Sequence, residues 1–518
     1  MTHTEPASDT PMPPPQKDAQ MPHNLPPEED ASLSMSALGK GSLMVLFAQG
    51  LQSIRGIVLL PFITRMLSAG DYGLWVQAGT LTSVLAPIAS LYLGSAMLRF
   101  FAANASPRHA ARTLAAMFIA VSALGLLVTS AAVLASNSLA SAFFEGQRTV
   151  VLLALLSLLP ECLGSLCLAY FRAFRQMGRF SFFSVARPYL ELIVVIWLLF
   201  TGHPLTDLLV GMALVRTALV GVMGTIILRE AGRAAPDFSP LPQYLRYSVP
   251  HIPTNLLLWI TNASDRFVIG YYLGAAAVGF YNPGYALGGL VAALSAPIMH
   301  VLPPFVYAHY DRGRPHLAMR YLSNIIFLVT IAGLFTAASL GGLSFQILSL
   351  LSTTEIAREG FFVTPIVALG ITSQTCTVVI SIALGCVKKT YLMALSALAG
   401  AGLNLGLNII FIPQYGIIAA AATTLVAMLI DFSIRLAMAR RYVQLPLPWW
   451  QLTRAALAAL LLGIGLSILS PTTTAPLVAL LALSPLVYLG LLLGLRVIRA
   501  RDLAATWRFV VGLLPRGR

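Results

Sequence analysis

Apolar segments of membrane-spanning length follow one another with little interruption from Ser42 to Val497. A helix needs about 20 consecutive apolar residues to cross a bilayer. These segments are uniformly apolar, whereas the strands of a membrane barrel alternate between apolar and polar residues. Only 10% of the 518 residues are charged, against about 25% in a typical soluble protein. The sequence therefore predicts an all-α polytopic membrane protein and excludes a soluble enzyme.

About fourteen spans joined by short connections account for the pattern. The short connections leave no room for a large catalytic domain outside the membrane, and an even number of spans returns the C-terminus to the side of the N-terminus. The predicted spans are 42–66, 73–97, 113–135, 149–171, 181–201, 207–228, 249–272, 278–305, 321–341, 361–385, 391–412, 416–438, 452–470 and 476–496.

The chain carries a net charge of +14, which raises the question of a nucleic-acid partner. With the N-terminus placed in the cytoplasm, 26 of the 33 Lys and Arg residues fall on the cytoplasmic side of the predicted spans. This asymmetry follows the positive-inside rule of membrane proteins. The positive charge therefore indicates orientation, with both termini cytoplasmic, and no nucleic-acid partner is predicted.

An internal repeat relates two parts of the chain. Residues 65–75 (RMLSAGDYGLW) align with residues 271–281 (YYLGAAAVGFY), and the alignment matches Gly73 with Gly279. Six predicted spans separate the copies, so both enter the membrane in the same direction, as in the parallel repeats of transporters. Chance similarity between two hairpin turns is the alternative interpretation. The repeat predicts two six-helix lobes followed by two further helices.

The chain then divides into five predicted parts. Its Pro-rich polar beginning lacks the apolar segment of a signal peptide and cannot bury a core. The parts are a disordered cytoplasmic N-terminal tail (1–36), an N-lobe with spans one to six (37–230), a C-lobe with spans seven to twelve (231–441), the last two spans (442–497) and a cytoplasmic C-terminal tail (498–518).

Several motifs occur along the first twelve predicted spans: QGLQSIR at 49–55, RMLSAGDYG at 65–73, YSVP at 247–250, DRFVIGYYLG at 265–274, VGFY at 278–281 and NLGLNIIFIPQYGIIAAAATT at 404–424. Together they resemble the polysaccharide-exporter or O-antigen flippase branch of the multidrug/oligosaccharidyl-lipid/polysaccharide (MOP) exporter superfamily. The resemblance covers roughly residues 36–441, and the last two spans carry no matching motif.

The resemblance implies two lobes around a central cavity that opens alternately to each side of the bacterial cytoplasmic membrane. The cargo would be a lipid-linked oligosaccharide of the undecaprenyl-pyrophosphate type, moved to the periplasmic leaflet for exopolysaccharide, capsule or O-antigen assembly. The partners would be membrane lipids and the polysaccharide polymerase and glycosyltransferases of that assembly. No cofactor or metal is implied, and the protein would be a secondary-type transporter and not an enzyme.

Four arginines within predicted spans are candidate cargo-binding residues: Arg55, Arg187, Arg216 and Arg266. A charge inside a membrane is costly, and such residues usually face a bundle interior and mark a pathway. A guanidinium group offers planar, bidentate donors that suit a pyrophosphate. For Arg55 the alternatives are capping of backbone carbonyls or neutralisation of an acid.

Three intramembrane acids, Glu161, Glu191 and Asp265, are candidates for ion coupling. Arg187 and Glu191 are four residues apart and share a helix face, so an internal ion pair is the simpler interpretation, and Glu161 and Arg216 could join it. Asp265 and its neighbour Arg266 project about 100° apart. We expect one of these two to face the cavity while the other stabilises its lobe.

Other polar residues have structural predictions. Asp431 and Arg435 are spaced for an ion pair, and Asn404 and Asn408 share a face suited to interhelical hydrogen bonds. The four cysteines lie in or at the ends of apolar spans without zinc-ligand spacing, and we predict packing roles for them. No nucleotide-binding loop or hydrolase triad is present, so no catalytic residue is assigned.

Three other functions compete with the flippase hypothesis. A drug-cation antiporter of the same fold should place acids in its cavity, whereas the first span carries Arg55. A flippase for the lipid-linked peptidoglycan precursor also fits fourteen spans and intramembrane arginines, and the motifs alone favour the polysaccharide branch. A membrane scaffold without transport activity should not retain unpaired arginines in its spans.

Overall fold

The computed structural model describes residues 50–51, 55–104, 107–232 and 234–498. The predicted N-terminal tail (1–36) lies outside the described residues, as does all but the first residue of the predicted C-terminal tail (498–518). The first predicted span (42–66) is described in part.

The described residues are mostly helical and include no strand. It forms twenty α-helices, with a 3-10 helix (Gly289–Leu294) between the twelfth and the thirteenth. The α-helices are α1 (55–66), α2 (Ala69–Ser90), α3 (Leu93–Asn104), α4 (Pro107–Leu134), α5 (Ser136–Phe143), α6 (Arg148–Leu156), α7 (Leu158–Ala173), α8 (Met177–Phe200), α9 (Leu205–Ala231), α10 (Leu241–Ser248), α11 (His251–Leu273), α12 (Ala275–Gly288), α13 (Ser295–Asp311), α14 (Pro315–Gly342), α15 (Ser344–Leu351), α16 (Thr354–Gly360), α17 (Val363–Cys386), α18 (Tyr391–Arg440), α19 (Trp449–Leu469) and α20 (Thr474–Gly494).

Nine helical segments in the described part of the chain are long and apolar enough to cross a membrane, or ten if the bent pair α2 and α3 forms one span. The protein is therefore a multi-pass membrane protein, and the all-α prediction is confirmed. The count of fourteen spans stays a prediction. We call α1–α9 the N-lobe and α11–α18 the C-lobe, and the predicted domain boundaries likewise stay predictions.

Three predicted spans are not continuous helices. The span 73–97 bends by 47° at Leu91 and Tyr92, which have φ values of 50° and 52°. The span 149–171 is interrupted at Ser157, three residues before a proline that has no N–H to bond the carbonyl of residue 156. The span 278–305 contains the 3-10 helix and further prolines. Prediction from apolar length alone does not locate such breaks.

The fifty-residue helix α18 is a hairpin. Gly416 leaves the helical conformation with φ 68° and ψ −154°. The Asn404 side-chain amide donates to the Thr424 hydroxyl at 3.1 Å, and the Thr423 hydroxyl donates to Asn408. These contacts nest around Gly416, so the two halves run antiparallel and correspond to the predicted spans 391–412 and 416–438. The predicted interhelical role of the two asparagines is confirmed.

Each lobe has its own hydrophobic core. In the N-lobe the core forms where α3, α4, α7 and α9 meet, and in the C-lobe it forms where α13, α14, α17 and α18 meet. Helix α19 packs on α14, where Gly342 lies against the backbone of Gly463, and α20 packs on α19. The last two helices are thus attached to the C-lobe.

The two lobes meet where α2 packs against α12, a contact that we call the seam. A Cβ added at Gly73 would overlap the carbonyl oxygen of Ala275, and one added at Gly279 would overlap the carbonyl oxygen of Ala69. The sequence repeat matches Gly73 with Gly279 and Ala69 with Ala275. The two contacts therefore exchange under the repeat, which is the pattern of a two-fold interface.

Further contacts between the lobes close the seam end of the bundle. Arg65 donates from Nε to the carbonyl of Ser352 at 3.2 Å and from Nη2 to the carbonyl of Leu350 at 2.6 Å. Glu145, a second N-lobe side chain, accepts at Oε1 from the Ala275 N–H of the C-lobe at 2.7 Å. Two long polar side chains of the N-lobe thus hold backbone groups of the C-lobe.

Gln77 is buried one helical turn from the seam. It lies against Gly270 of α11, and neither its amide nitrogen nor its amide oxygen has a hydrogen-bond partner among the described residues. A buried polar group without a partner costs about 1–3 kcal/mol. The unpartnered Gln77 amide therefore destabilises the closed arrangement of the lobes at this end.

Candidate functional site: an arginine-lined cavity

A cavity lies next to the seam and extends along the N-lobe. Its near chamber has a volume of ≈ 400 Å³ and is lined from both lobes, whereas its far chamber of ≈ 730 Å³ lies within the N-lobe. The two chambers adjoin each other, because they share part of their lining. The residues that line both are Gly79, Thr82, Ser83, Arg187 and Arg216.

Five charged residues on four helices meet at this cavity, and we call them the N-lobe cluster. They come from α1, α7, α8 and α9. Arg187 and Glu191 lie on adjacent turns of α8. Glu161 lies in the first turn of α7, directly after the break at Ser157. The members are Arg55, Glu161, Arg187, Glu191 and Arg216.

Glu191 is the centre of the cluster. Its carboxylate accepts from Nε of Arg216 at 2.8 Å, and it lies 3.7 Å from Nε of Arg187 and 3.6 Å from Nη1 of Arg55. The Glu191 side chain is only 4% exposed. One nearly buried acid therefore contacts three arginines from three helices.

Glu161 is the second acid of the cluster. It accepts from Nη1 of Arg187 at 2.9 Å and lies 3.6 Å from Nη1 of Arg216. Arg187 and Arg216 are thus each shared between both acids. Within the described part of the chain, Arg55 has one ion-pair contact, the 3.6 Å approach to Glu191.

The arginines remain accessible from the cavity. The side chains of Arg55 and Arg187 are each 29% exposed, and that of Arg216 is 14% exposed. Three guanidinium groups and two carboxylates leave the cluster with one net positive charge. Because a guanidinium has five N–H donors, the cluster retains donors that can contact an anion.

Arg266, the predicted cargo-binding residue of the C-lobe, is held differently. Its Nη1 donates to Asp265 at 3.0 Å and to the carbonyl of Asn262 at 2.8 Å, and its Nε donates to Asn282 at 3.3 Å. The guanidinium also stacks 4.2 Å from the ring centre of Tyr285. It borders the near chamber, but its side chain is only 10% exposed.

Asp265 is buried beneath this arginine. Its carboxylate accepts from the Tyr281 hydroxyl at 2.5 Å and from the backbone N–H of Arg266 at 2.9 Å. Asn282 extends the network to the N-lobe by donating to the hydroxyl of Tyr72 at 2.8 Å. The arginine therefore borders the cavity and the aspartate supports the lobe, although the two also bond directly to each other.

Two residues near the cavity were missed by sequence reasoning. The guanidinium of Arg172 lies 5.3 Å from the ring centre of Phe180 and lines the far chamber. Trp259 of α11 donates to the Ser83 hydroxyl at 2.9 Å, which connects the lobes across the cavity. Arg172 stands one residue past the predicted span 149–171, so it is not among the intramembrane arginines that the sequence indicates. A tryptophan opposite a distant serine leaves no sequence signal.

The remaining predicted pair lies away from the cavity. Arg435 donates from Nη2 to Asp431 at 3.1 Å, as predicted, and also bonds to Ser396 and Ser381. These contacts join the two halves of α18 and attach them to α17. The pair is structural.

A family model described as "polysaccharide biosynthesis protein" matches residues 62–332, more than half of the chain. The chain belongs to this family. The match confirms the predicted polysaccharide branch, and it includes most of the N-lobe cluster and the seam. No curated protein matches the chain.

Solved structures agree on the fold. The structure described as "Lipid II flippase MurJ, inward closed conformation" has a TM-score of 0.69 and 16% identity, covering 90% of this chain and 99% of that chain. An inward-facing multidrug resistance MATE family transporter of the MOP superfamily has a TM-score of 0.63 and 13% identity, covering 75% and 94%.

A mutant of the Vibrio cholerae MATE transporter VcmN has a TM-score of 0.56 and 13% identity, covering 80% of this chain and 98% of that chain. At these identities the likeness establishes the fold, which is one of flippases and transporters. The predicted fold is confirmed.

Proposed function

We propose that the protein is a flippase that moves a lipid-linked oligosaccharide, on a carrier of the undecaprenyl-pyrophosphate type, across the cytoplasmic membrane of a bacterium for polysaccharide biosynthesis. The observation that carries the proposal is the N-lobe cluster, which presents three arginines and one net positive charge to a cavity in a flippase-like fold. The family supports the polysaccharide assignment.

The arginines suit the charged part of this cargo. A pyrophosphate presents several anionic oxygens, and a guanidinium can bind two of them with parallel hydrogen bonds. Arg55 is the best placed for this role, because its one ion-pair contact in the described residues is long and its side chain is accessible. Arg187 and Arg216 supply further donors.

The geometry disfavours a cation antiporter. Both acids that line the cavity, Glu161 and Glu191, lie within ion-pair distance of at least two arginines. A cation would have to compete with those guanidinium groups for each carboxylate. The lipid-linked peptidoglycan precursor also carries a pyrophosphate, so the family is what favours the polysaccharide cargo.

Proteoliposomes test the cargo. Purified protein is reconstituted with three fluorescent lipids that carry the same oligosaccharide on a diphosphate, on a monophosphate or on a neutral linker. We expect the diphosphate lipid to flip at least about tenfold faster than the neutral one, because the neutral linker offers the arginines no anionic oxygens to bind. A tenfold ratio corresponds to about 1.4 kcal/mol. Equal rates for all three lipids, or transport of an organic cation in their place, would contradict the proposal.

The membrane potential is the proposed driving force. Outward movement takes the anionic diphosphate away from an electrically negative cytoplasm, and each charge is worth about 2.3 kcal/mol per 100 mV. An imposed potential, negative on the cytoplasmic side, should raise both the rate and the final extent of flipping without ATP. Flipping that required ATP and ignored the potential would defeat this part of the proposal.

Orientation belongs to the same proposal, with both termini in the cytoplasm. Single cysteines placed at positions 355 and 388 test it in intact cells. An impermeant thiol reagent should label position 355, on the periplasmic side, and leave position 388 unlabelled. The opposite pattern would reverse the assignment of the two faces.

A further inference from the structure

The empty site poses a problem for any carrier of an anion. Arginines that receive a diphosphate must also return without it, and exposed positive charge within a membrane protein is costly. The N-lobe cluster contains a local answer. Every one of its arginines lies within 3.7 Å of an oxygen of Glu161 or Glu191.

We propose that Glu161 and Glu191 are resident counter-anions, which pair with the arginines while the site is empty and share them with the diphosphate when cargo binds. The empty site can then return without a co-transported cation. This inference rests on the proposed function, because it takes a lipid-linked diphosphate as the cargo, and it assigns the two acids a part in the transport cycle.

The charge of the cluster supports this assignment. With two acids and three arginines the empty cluster carries one net positive charge, and a bound diphosphate diester, with two negative charges, changes this to one net negative charge. Without the acids, the empty cluster would carry three positive charges on its return. The acids therefore keep both halves of the cycle within one charge of neutrality, while the whole cycle still moves the charge of the cargo.

The distances support an exchange of partners. Two contacts are close, the 2.8 Å bond between Arg216 and Glu191 and the 2.9 Å bond between Arg187 and Glu161. The other three contacts, between 3.6 and 3.7 Å, are long for a hydrogen bond. The close bonds can hold the acids in place while the long contacts are given up to cargo oxygens.

Arg55 is the arginine of the cluster whose contact with an acid is the easiest to exchange. It belongs to α1, whereas its partner Glu191 belongs to α8, so no helix backbone fixes the contact between them. It also borders the near chamber, where Arg187, Glu191 and Arg216 lie around the same space. Transfer of Arg55 from Glu191 to the diphosphate is the step in which the acid gives up one of its partners, while its close bond to Arg216 remains.

A Glu191→Gln variant tests the inference, because it removes the charge of the acid and retains its shape. The probe is inorganic pyrophosphate, measured in detergent through its effect on the thermal midpoint of unfolding. We expect the variant to bind pyrophosphate at least about fivefold more tightly than the wild type, a ratio typical of coupled sites. In proteoliposomes its half-saturating lipid concentration and its maximal flipping rate should both fall.

Glu230→Gln is the matched control. Glu230 also pairs with an arginine, Arg179, but on the surface of the N-lobe and away from the cavity. Its substitution should leave pyrophosphate binding and flipping unchanged. If Glu191→Gln fails to fold, Glu161→Gln provides the same comparison, because its side chain is more exposed at 22%.

The outcomes separate the two proposals. Tighter pyrophosphate binding together with slower flipping supports the counter-anion role. Unchanged or weaker binding by both variants overturns it and leaves two acids that merely hold the lobe together, even if the wild type flips the diphosphate lipid. A requirement of wild-type flipping for Na⁺ or a proton gradient also overturns it. A wild type that neither binds pyrophosphate nor flips the lipid refutes the proposed function itself.

Discussion

In the N-lobe three arginines share two glutamates and keep part of their surface open to the cavity, whereas Arg266, the C-lobe arginine that borders the cavity, is surrounded by partners. Arg266 bonds to a carboxylate, a backbone carbonyl and an amide oxygen, and its face is covered by a tyrosine ring. Arg55 has one long contact among the described residues. Both regions border the same cavity, but they differ in the donors that they leave free.

This difference shows how a structural role and a cargo-binding role can be distinguished for a buried arginine. Position within a span made Arg55 and Arg266 equal candidates for cargo binding, since insertion of either charge is costly. What distinguishes them is how fully their donors are satisfied within the protein. Satisfied donors stabilise a lobe, and unsatisfied donors are available to a ligand. We therefore expect substitutions at the two positions to affect different properties.

The largest expected effect on stability is at Arg266. An Arg266→Ala substitution leaves the carboxylate of Asp265 buried without its cation, and breaking a buried ion pair in this way costs about 3–5 kcal/mol. We expect a strongly lowered thermal midpoint in detergent. The double variant Arg266→Ala/Asp265→Asn should recover part of the loss. A stable single variant that has lost only cargo binding would break the comparison and restore Arg266 as a cargo ligand.

The corresponding effect at Arg55 is on transport. Removal of one partner from a charged, hydrogen-bonded contact costs about 2 kcal/mol or more, so Arg55→Ala should slow flipping by roughly 30-fold or more. Its thermal midpoint should stay near that of the wild type, because the contact with Glu191 is long. Arg55→Lys should be intermediate, since an ammonium cannot bind bidentately.

The control for Arg55 is Arg179→Ala, which removes a surface arginine that pairs with Glu230. It should flip cargo at the wild-type rate. Normal flipping by Arg55→Ala at normal expression would count decisively against the cargo contact, and with it against the contrast between the lobes.

The smallest expected effect lies at the boundary between the lobes. Gln77 is buried there, and its amide has no hydrogen-bond partner within the described part of the chain. A Gln77→Leu substitution therefore removes a penalty of about 1–3 kcal/mol. The closed seam should become more stable, and flipping should slow because opening becomes harder. A higher thermal midpoint with a lower flipping rate is the expected pair of results. A lower midpoint would show that the amide gains a partner in the closed form.

Some of this site follows from local spacing. Glu191 stands four residues after Arg187, so their shared face was predicted, as was the ion pair of Asp431 with Arg435. The contact of Arg55 with Glu191 was not predictable, because the residues lie on helices that are distant in sequence and only packing brings them together. The sequence also did not predict the helix interruptions at Ser157 and Leu91, since the apolar composition continues through them.

The repeat illustrates the same limit. Matching glycines at positions 73 and 279 indicated two copies with the same direction through the membrane. A repeat specifies direction, but it does not specify which surfaces of the copies meet. That the matched glycines lie in one interface depends on how the lobes associate, and only the three-dimensional arrangement contains this information.

The reciprocal seam has a consequence for how this protein can change over generations. Gly73 and Gly279 are 206 positions apart, yet each admits the backbone of the helix that carries the other. A side chain acquired at either position separates the same pair of helices, so it also removes the reason for keeping the other glycine. Substitutions at the two positions are therefore expected to be strongly non-additive. At this contact each copy of the repeat therefore constrains the sequence of the other, even where the rest of the two sequences differs.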